Sequence, residues 1–162
     1  MRALYAVQSL NLPDWLIGAG FVRNLIWGSV FNKNIDINDI DVIYFCRDDV
    51  SKERDIFLEK RLRELEPNFS WSVKNQARMH LKHGDAPYDS TLDAMRFWPE
   101  KQTSIGVCLN NNGAILVQHC FDLSLQFSGN INRNPARSVE IFEDRVSSKG
   151  WLNIWPSLQV VI

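Results

Sequence analysis

The chain has 162 residues, enough for one domain that buries its own core without disulfide or metal staples. Its 45% hydrophobic and 23% charged residues are those of an ordinary globular protein, and its formal net charge of -1 excludes a chain that grips nucleic acid through a general basic excess. Cys46, Cys108 and Cys120 form no C-x-x-C pair, which excludes a disulfide framework and fits a reducing cytoplasm. The N-terminus lacks the apolar run of a signal peptide, and no stretch approaches the roughly 20 apolar residues of a membrane span.

Leu4, Val7 and Leu10 at helical spacing predict a short first helix over residues 1–10, stopped by Pro13. Trp15-Leu16-Ile17 is an apolar run into the turn Gly18-Ala19-Gly20, and a helix carrying Phe21, Leu25 and Trp27 follows. After a polar loop, Asp39 to Phe45 reads as a strand of β-branched and aromatic residues. Asp48, Asp49 and Ser51 are candidate caps for a helix whose apolar stripe is Leu58, Leu62 and Leu65, ended by Pro67. Phe69 to Val73 alternates as a strand, and a helical piece spans Gln76 to Lys82. Ser90-Thr91-Leu92-Asp93 resembles a capping box for a short helix to Trp98. Ile105 to Leu109 and Ala114 to Gln118 form a hairpin around Asn110-Asn111-Asn112-Gly113. Phe121 to Phe127 is expected to be a further strand. Ser138 to Lys149 is expected to be a helix ended by Gly150, before an apolar tail from Trp151 to Ile162 that packs on the core or on another chain. The sum is a single α+β domain over residues 1–162, with a mixed sheet of about five strands flanked by helices.

The chemistry concentrates in residues 15–45. Glycines let backbone approach a phosphate, and the helix after them presents unpaired N–H groups and the positive end of its dipole. Arg23, one turn into that helix, is placed to meet a phosphate or a carboxylate. Asp39 and Asp41 stand two apart in a strand, so both side chains share a face. Two carboxylates on one face call for a cation, and magnesium prefers oxygen ligands shared with substrate phosphates. Paired ions of this kind serve in-line phosphoryl displacement. Taken alone, an Asp-x-Asp is more often the solvated start of a strand.

Ile17-Gly18-Ala19-Gly20-Phe21-Val22-Arg23-Asn24-Leu25-Ile26-Trp27-Gly28 followed by Asp39-Ile40-Asp41-Val42 resembles the head-domain signature of the DNA polymerase beta nucleotidyltransferase superfamily, in the version of the CCA-adding enzymes. Three further segments resemble a small stand-alone bacterial nucleotidyltransferase-like family, over about residues 15–155. They are Trp71 to His80, Tyr88 to Thr91 with Trp98-Pro99-Glu100, and Arg133-Asn134-Pro135. The resemblance implies a polymerase beta-like nucleotidyltransferase fold, magnesium (two ions) on Asp39 and Asp41, and contact with a nucleoside triphosphate such as ATP by Gly18, Ala19, Gly20 and Arg23. The acceptor is not implied, and RNA is disfavoured as one by the lack of basic surplus. Ala19 stands where the CCA pattern has a glycine, Asn24 where it has aspartate, and Cys46 where the small family often has aspartate.

The superfamily also carries a third carboxylate on a neighbouring strand. Asp122, among apolar residues, is the candidate; its other reading is a turn or cap aspartate. Lys74, Asn75 and Gln76 are candidate contacts to base, ribose or acceptor, or else amide caps that satisfy loop backbone. His80-x-x-His83 matches no zinc spacing. Two functions remain: transfer of a nucleoside monophosphate to an unknown acceptor hydroxyl, or nucleotide binding without transfer.

Overall fold

A computed structural model describes residues 1–162. The first half runs α1 (Arg2–Gln8), β1 (Leu16–Gly18), α2 (Gly20–Val30), β2 (Asp39–Tyr44), α3 (Lys52–Leu65), β3 (Ser70–Asn75), a 3-10 turn at Gln76–Arg78, α4 (Met79–His83) and α5 (Thr91–Met95). The second half runs β4 (Ile105–Leu109), β5 (Ile115–His119), a 3-10 segment Leu123–Phe127, β6 (Asn130–Asn132), α6 (Val139–Ser148), α7 (Trp151–Ile154) and β7 (Gln159–Val161). No helix is long and apolar enough to cross a membrane.

Strands β1 to β5 form one mixed sheet in the order β3-β2-β1-β4-β5. Only β2 and β3 run parallel, as the crossover through α3 requires; the other neighbours are antiparallel. Ser51 starts α3 by accepting from the Arg54 N–H, and Leu58 and Leu62 bury the helix stripe, while Leu65 at its last turn stays outside. The alternation of β2 divides the sheet's two faces. Ile40, Val42 and Tyr44 enter the main core with Leu4, Val7, Leu62, Trp71 and Val73. Asp39, Asp41 and Ile43 take the opposite face, where Ile43 packs with Leu16 and Met95.

The tail packs within the chain. Gly150 takes the left-handed conformation that ends α6 (φ 60°). Trp151, Trp155 and Leu158 then bury against Trp27, Phe142 and Val146. Trp27 meets Trp151 and Trp155 edge-on, with centroids 6.3 and 5.9 Å apart. The tail also supplies β7, which pairs in parallel with β6 and was not foreseen.

One expected strand is absent. Residues 121–127 do not extend the sheet, because β5 ends at His119 and the Asp122 side chain accepts from the Ser124 N–H at 2.9 Å, opening a 3-10 segment. A short acidic side chain that bonds its own following backbone competes with strand formation.

Candidate active site

Strand β1 delivers the turn to the polar face of the sheet. Gly18 pairs with Asp41 on one side and with Gly106 on the other, so turn and carboxylate strand are fixed by one register. A Cβ at Gly18 would lie 3.2 Å from the Trp98 ring. Gly18 therefore serves packing under the site, and the open surface of the turn belongs to Ala19 and Gly20. Ala19 sits at φ 51°, ψ -117°, a conformation disfavoured for a residue with Cβ. It offers α2 no capping side chain, so the first N–H groups of this 11-residue helix stay open to an anion.

Arg23 lies one turn in, 5% exposed, between two indoles. Its guanidinium carbon is 5.1 Å from the Trp27 ring centroid and 4.6 Å from that of Trp151. Its nitrogens donate to Asn24 Oδ1 at 3.2 and 3.0 Å, and no carboxylate lies within ion-pair reach. Burial pulls its pKa down to about 10, with Glu100 and Asp41 opposing the fall, so it remains a cation at neutral pH. Asn24, standing where the CCA pattern has aspartate, thus orients the guanidinium without neutralising it.

Asp39 and Asp41 both open onto the cleft. Asp41 is reached by solvent yet surrounded by protein at the cleft floor, and this loss of hydration raises its pKa. Lys149, a hydrogen bond with Ser72 and Arg23 act the other way, and Asp39 adds to the rise. Ser72 is the partner of Asp41 across the β2–β3 register. The residue beside Asp41 on the neighbouring strand is therefore a hydroxyl.

The cleft has two lobes, of about 510 and 530 Å³, that share Ala19, Asp41, Arg145 and Lys149. Arg145 is held by Glu100, fully buried, through Nε–Oε1 at 2.6 Å, and Glu100 is fixed in turn by the Thr103 hydroxyl at 3.0 Å. Arg145 on α6 and Lys149 at its C-cap stand four apart in helical backbone, which sets them on one face; the sequence offered that signal but nothing tied the helix to the turn. Glu100 belongs to the Trp98-Pro99-Glu100 segment, and nothing local in the sequence marks it as the anchor of Arg145. Asn134, in the other quoted segment, donates to the Arg96 and Trp98 carbonyls at 2.6 and 2.7 Å and so fixes the turn that bears Trp98.

Of four further sequence candidates, Asp122 and Asn75 stand outside the cleft, while Lys74 and Gln76 line it. Asp122 is exposed, caps its own 3-10 segment, and lies beyond β5, at the opposite edge of the sheet from β3; it does not join Asp39 and Asp41. No three His, Cys, Asp or Glu side chains converge as a metal group. Asn75 is fully buried: its amide donates to the Cys46 and Asp49 carbonyls at 2.7 and 2.9 Å and accepts from the Cys46 and Ala77 N–H groups at 3.1 Å. Those bonds exhaust it, so it ties the β2–α3 loop to the turn after β3 and does not reach a ligand. Lys74 and Gln76 line the second lobe, with the Lys74 ammonium 3.1 Å from Glu59 and the Gln76 amide donating to the Lys74 carbonyl at 3.2 Å.

Known proteins share this fold. The chain is similar to a protein described as revealing, by NMR, a CCA-adding enzyme head domain, with 34% identity and TM-score 0.87 over 98% of this chain and 86% of that one. It also shares its fold with a tRNA-processing enzyme (15% identity, TM-score 0.59, 98% of this chain and 42% of that one). A CCA-adding enzyme in complex with ATP gives 15% identity and TM-score 0.54 over 90% of this chain and 34% of that one. The chain thus spans less than half the length of these two enzymes. A search of curated proteins gave no significant match. The family model described as Nucleotidyltransferase matches residues 5–160, nearly the whole chain, and with it the turn, the aspartate strand and the helix bearing Arg145; this protein belongs to the nucleotidyltransferase family.

Proposed function

We propose that the chain transfers a nucleoside monophosphate from a nucleoside triphosphate to an acceptor hydroxyl, with release of pyrophosphate. The observation that carries this reading is Arg23: a buried cation that forms no ion pair, beside the open N-terminus of α2 and lining the same cleft as Asp39 and Asp41. Leaving a charge buried and unpaired is unfavourable unless a ligand supplies the counter-charge, and a triphosphate does so. Gly20 and the next open N–H groups of α2 would receive phosphate oxygens, and Arg145 would flank them.

Asp39 and Asp41 fit magnesium in donor chemistry: two hard oxygen donors on one face, open to the cleft, with room left for phosphate oxygens and water. Magnesium, when bound, neutralises phosphate charge and fixes the phosphates against the carboxylates. Asp122 does not join the pair and a hydroxyl, Ser72, lies beside Asp41, so the chain itself offers two carboxylates to a metal here. That same observation favours a second reading, a domain that binds nucleotide and does not transfer it. The three unpaired cysteines fit work in the cytoplasm.

The test is titration with each ribonucleoside triphosphate, with and without magnesium, followed by a pyrophosphate assay. Magnesium-dependent binding with pyrophosphate release that Asp41→Asn abolishes supports transfer. Binding without release across a broad set of acceptors supports the second reading, and no binding removes both.

A further inference from the structure

The two lobes of the cleft differ in charge. The first, with the turn and Arg23, sets Arg23, Arg145 and Lys149 against Asp36, Asp39 and Asp41. The second, reached past Asp41 along β2 and β3 to α4 and α6, sets five cations against Asp41 alone. Three of the five are already engaged: Lys74 with Glu59 at 3.1 Å, Arg137 with Asp85 at 2.7 Å, and Arg145 with Glu100 at 2.6 Å. Lys82 and Lys149 form no ion pair.

His83, in the same lobe, is held below its ordinary pKa, first by burial and then by Arg137 and Lys82, with Asp85 opposing. The positive field of the lobe is thus felt by a third group. The lining of this lobe also includes the apolar Trp98, Pro99, Met79 and Ile141. A volume of about 530 Å³ suits one small molecule.

Building on the nucleotidyl-transfer reading, we propose that the second lobe is the acceptor site, and that its acceptor is a small hydroxyl compound carrying a phosphate monoester. The phosphate dianion pairs with Lys82 and Lys149, and the carbon skeleton lies on Trp98 and Met79. Asp41, shared by both lobes, marks where the two substrates meet. The acceptor's hydroxyl oxygen bonds to the α-phosphorus of the triphosphate in the first lobe. The bond from that phosphorus to the oxygen bridging to the β-phosphate breaks, pyrophosphate leaves with that oxygen and its electron pair, and the hydroxyl proton passes to water. The product is a phosphodiester that retains the acceptor's own phosphate. A long polyanion is the weaker candidate, since a net charge of -1 gives it no general attraction.

The experiment is calorimetric titration of protein saturated with the magnesium complex of α,β-methylene-ATP, which cannot be cleaved at the α-phosphorus. The probes are glycerol 3-phosphate and ribose 5-phosphate, each against glycerol or ribose, and a short single-stranded RNA. The phosphorylated small compounds should bind the loaded protein at least about tenfold tighter than their parents, a difference of about 1.4 kcal/mol. Lys82→Glu, a change at an exposed position, should weaken that binding by about tenfold or more, with the analogue's affinity as the control for an intact nucleotide lobe. Three results would overturn the proposal: displacement of the analogue by the phosphorylated probes, which would assign the cations to the triphosphate; equal binding of phosphorylated and parent compounds; or tight binding of the RNA alone. Failure of the analogue itself to bind would remove the nucleotidyl-transfer reading first, and the acceptor site with it.

Discussion

Ala19 allows the local energetics of the turn to be tested by one methyl group. Its φ of 51° and ψ of -117° lie near the first central position of a type II′ turn, about +60° and -120°, which glycine dominates. For a residue with Cβ, such a conformation costs about 1–3 kcal/mol. Ala19→Gly removes that strain but gives the unfolded chain more freedom, which costs about 0.4–1 kcal/mol. The net expectation is stabilisation by about 0.5–2 kcal/mol, or roughly 1–8 °C in Tm for a chain of this length. The backbone bonds of the turn, Ala19 N–H to the Ile105 carbonyl and Arg23 N–H to the Ala19 carbonyl, both 3.0 Å, involve no side chain and survive the change. Urea unfolding of wild type and variant, with the slope m checked for constancy, measures the difference. A variant less stable than wild type by 1 kcal/mol or more would refute the reasoning, because the methyl group would then contribute packing that outweighs the strain.

Other outcomes test the site. Loss of hydration raises the Asp41 pKa, so the folded state holds its proton more tightly than the unfolded chain; the carboxylate weakens folding above that raised pKa, and the penalty vanishes below the unfolded value. Asp41→Asn should therefore stabilise the ligand-free protein at pH 7 by up to about 1 kcal/mol, limited by solvent screening, with the gain lost near pH 3 in matched urea titrations. Asn75→Ala should cost about 2–4 kcal/mol of stability while the nucleotide Kd of the folded fraction stays put, and Asp122→Ala should leave activity unchanged; loss of turnover in folded Asp122→Ala would restore it as the third carboxylate. Asp85 is held at about 2, first by its bonds to Arg137, then against burial and with help from Tyr88. Its folded pKa is depressed, so its contribution is present above about pH 4 and drains away toward pH 2, about 1–2 kcal/mol that Arg137→Met should remove from an acid-unfolding curve.

Local order made most of the sheet legible. The β-branched run of β2 and the Asn-rich hairpin turn declare themselves within ten residues, and the Gly-Ala-Gly turn before a helix needs no distant partner. Asp39 and Asp41 were legible because period two is a property of any strand. Asp122 misled because an aspartate among apolar residues reads alike on a strand and on a cap, and only the absence of a sixth strand beside β5 decides. Asn75 misled because a polar residue after a strand looks free until its partners, 26 to 29 residues away, are known. Arg145, Lys149 and Glu100 were hidden because an ionic side chain on a helix face is ordinary, and only the fold carries α6 to the turn.

The enclosure of Arg23 between Trp27 and Trp151 has a consequence for biosynthesis. One wall is made four residues after Arg23, while the other arrives about 130 residues later. At translation rates of about 5–20 residues per second, that interval lasts roughly 6 to 26 s. Until the end of α6 and α7 emerge from the ribosome, the arginine has half its cage, so a nascent chain holds turn and carboxylates without a finished pocket. The completed pocket is then a report that synthesis has reached the end of α7.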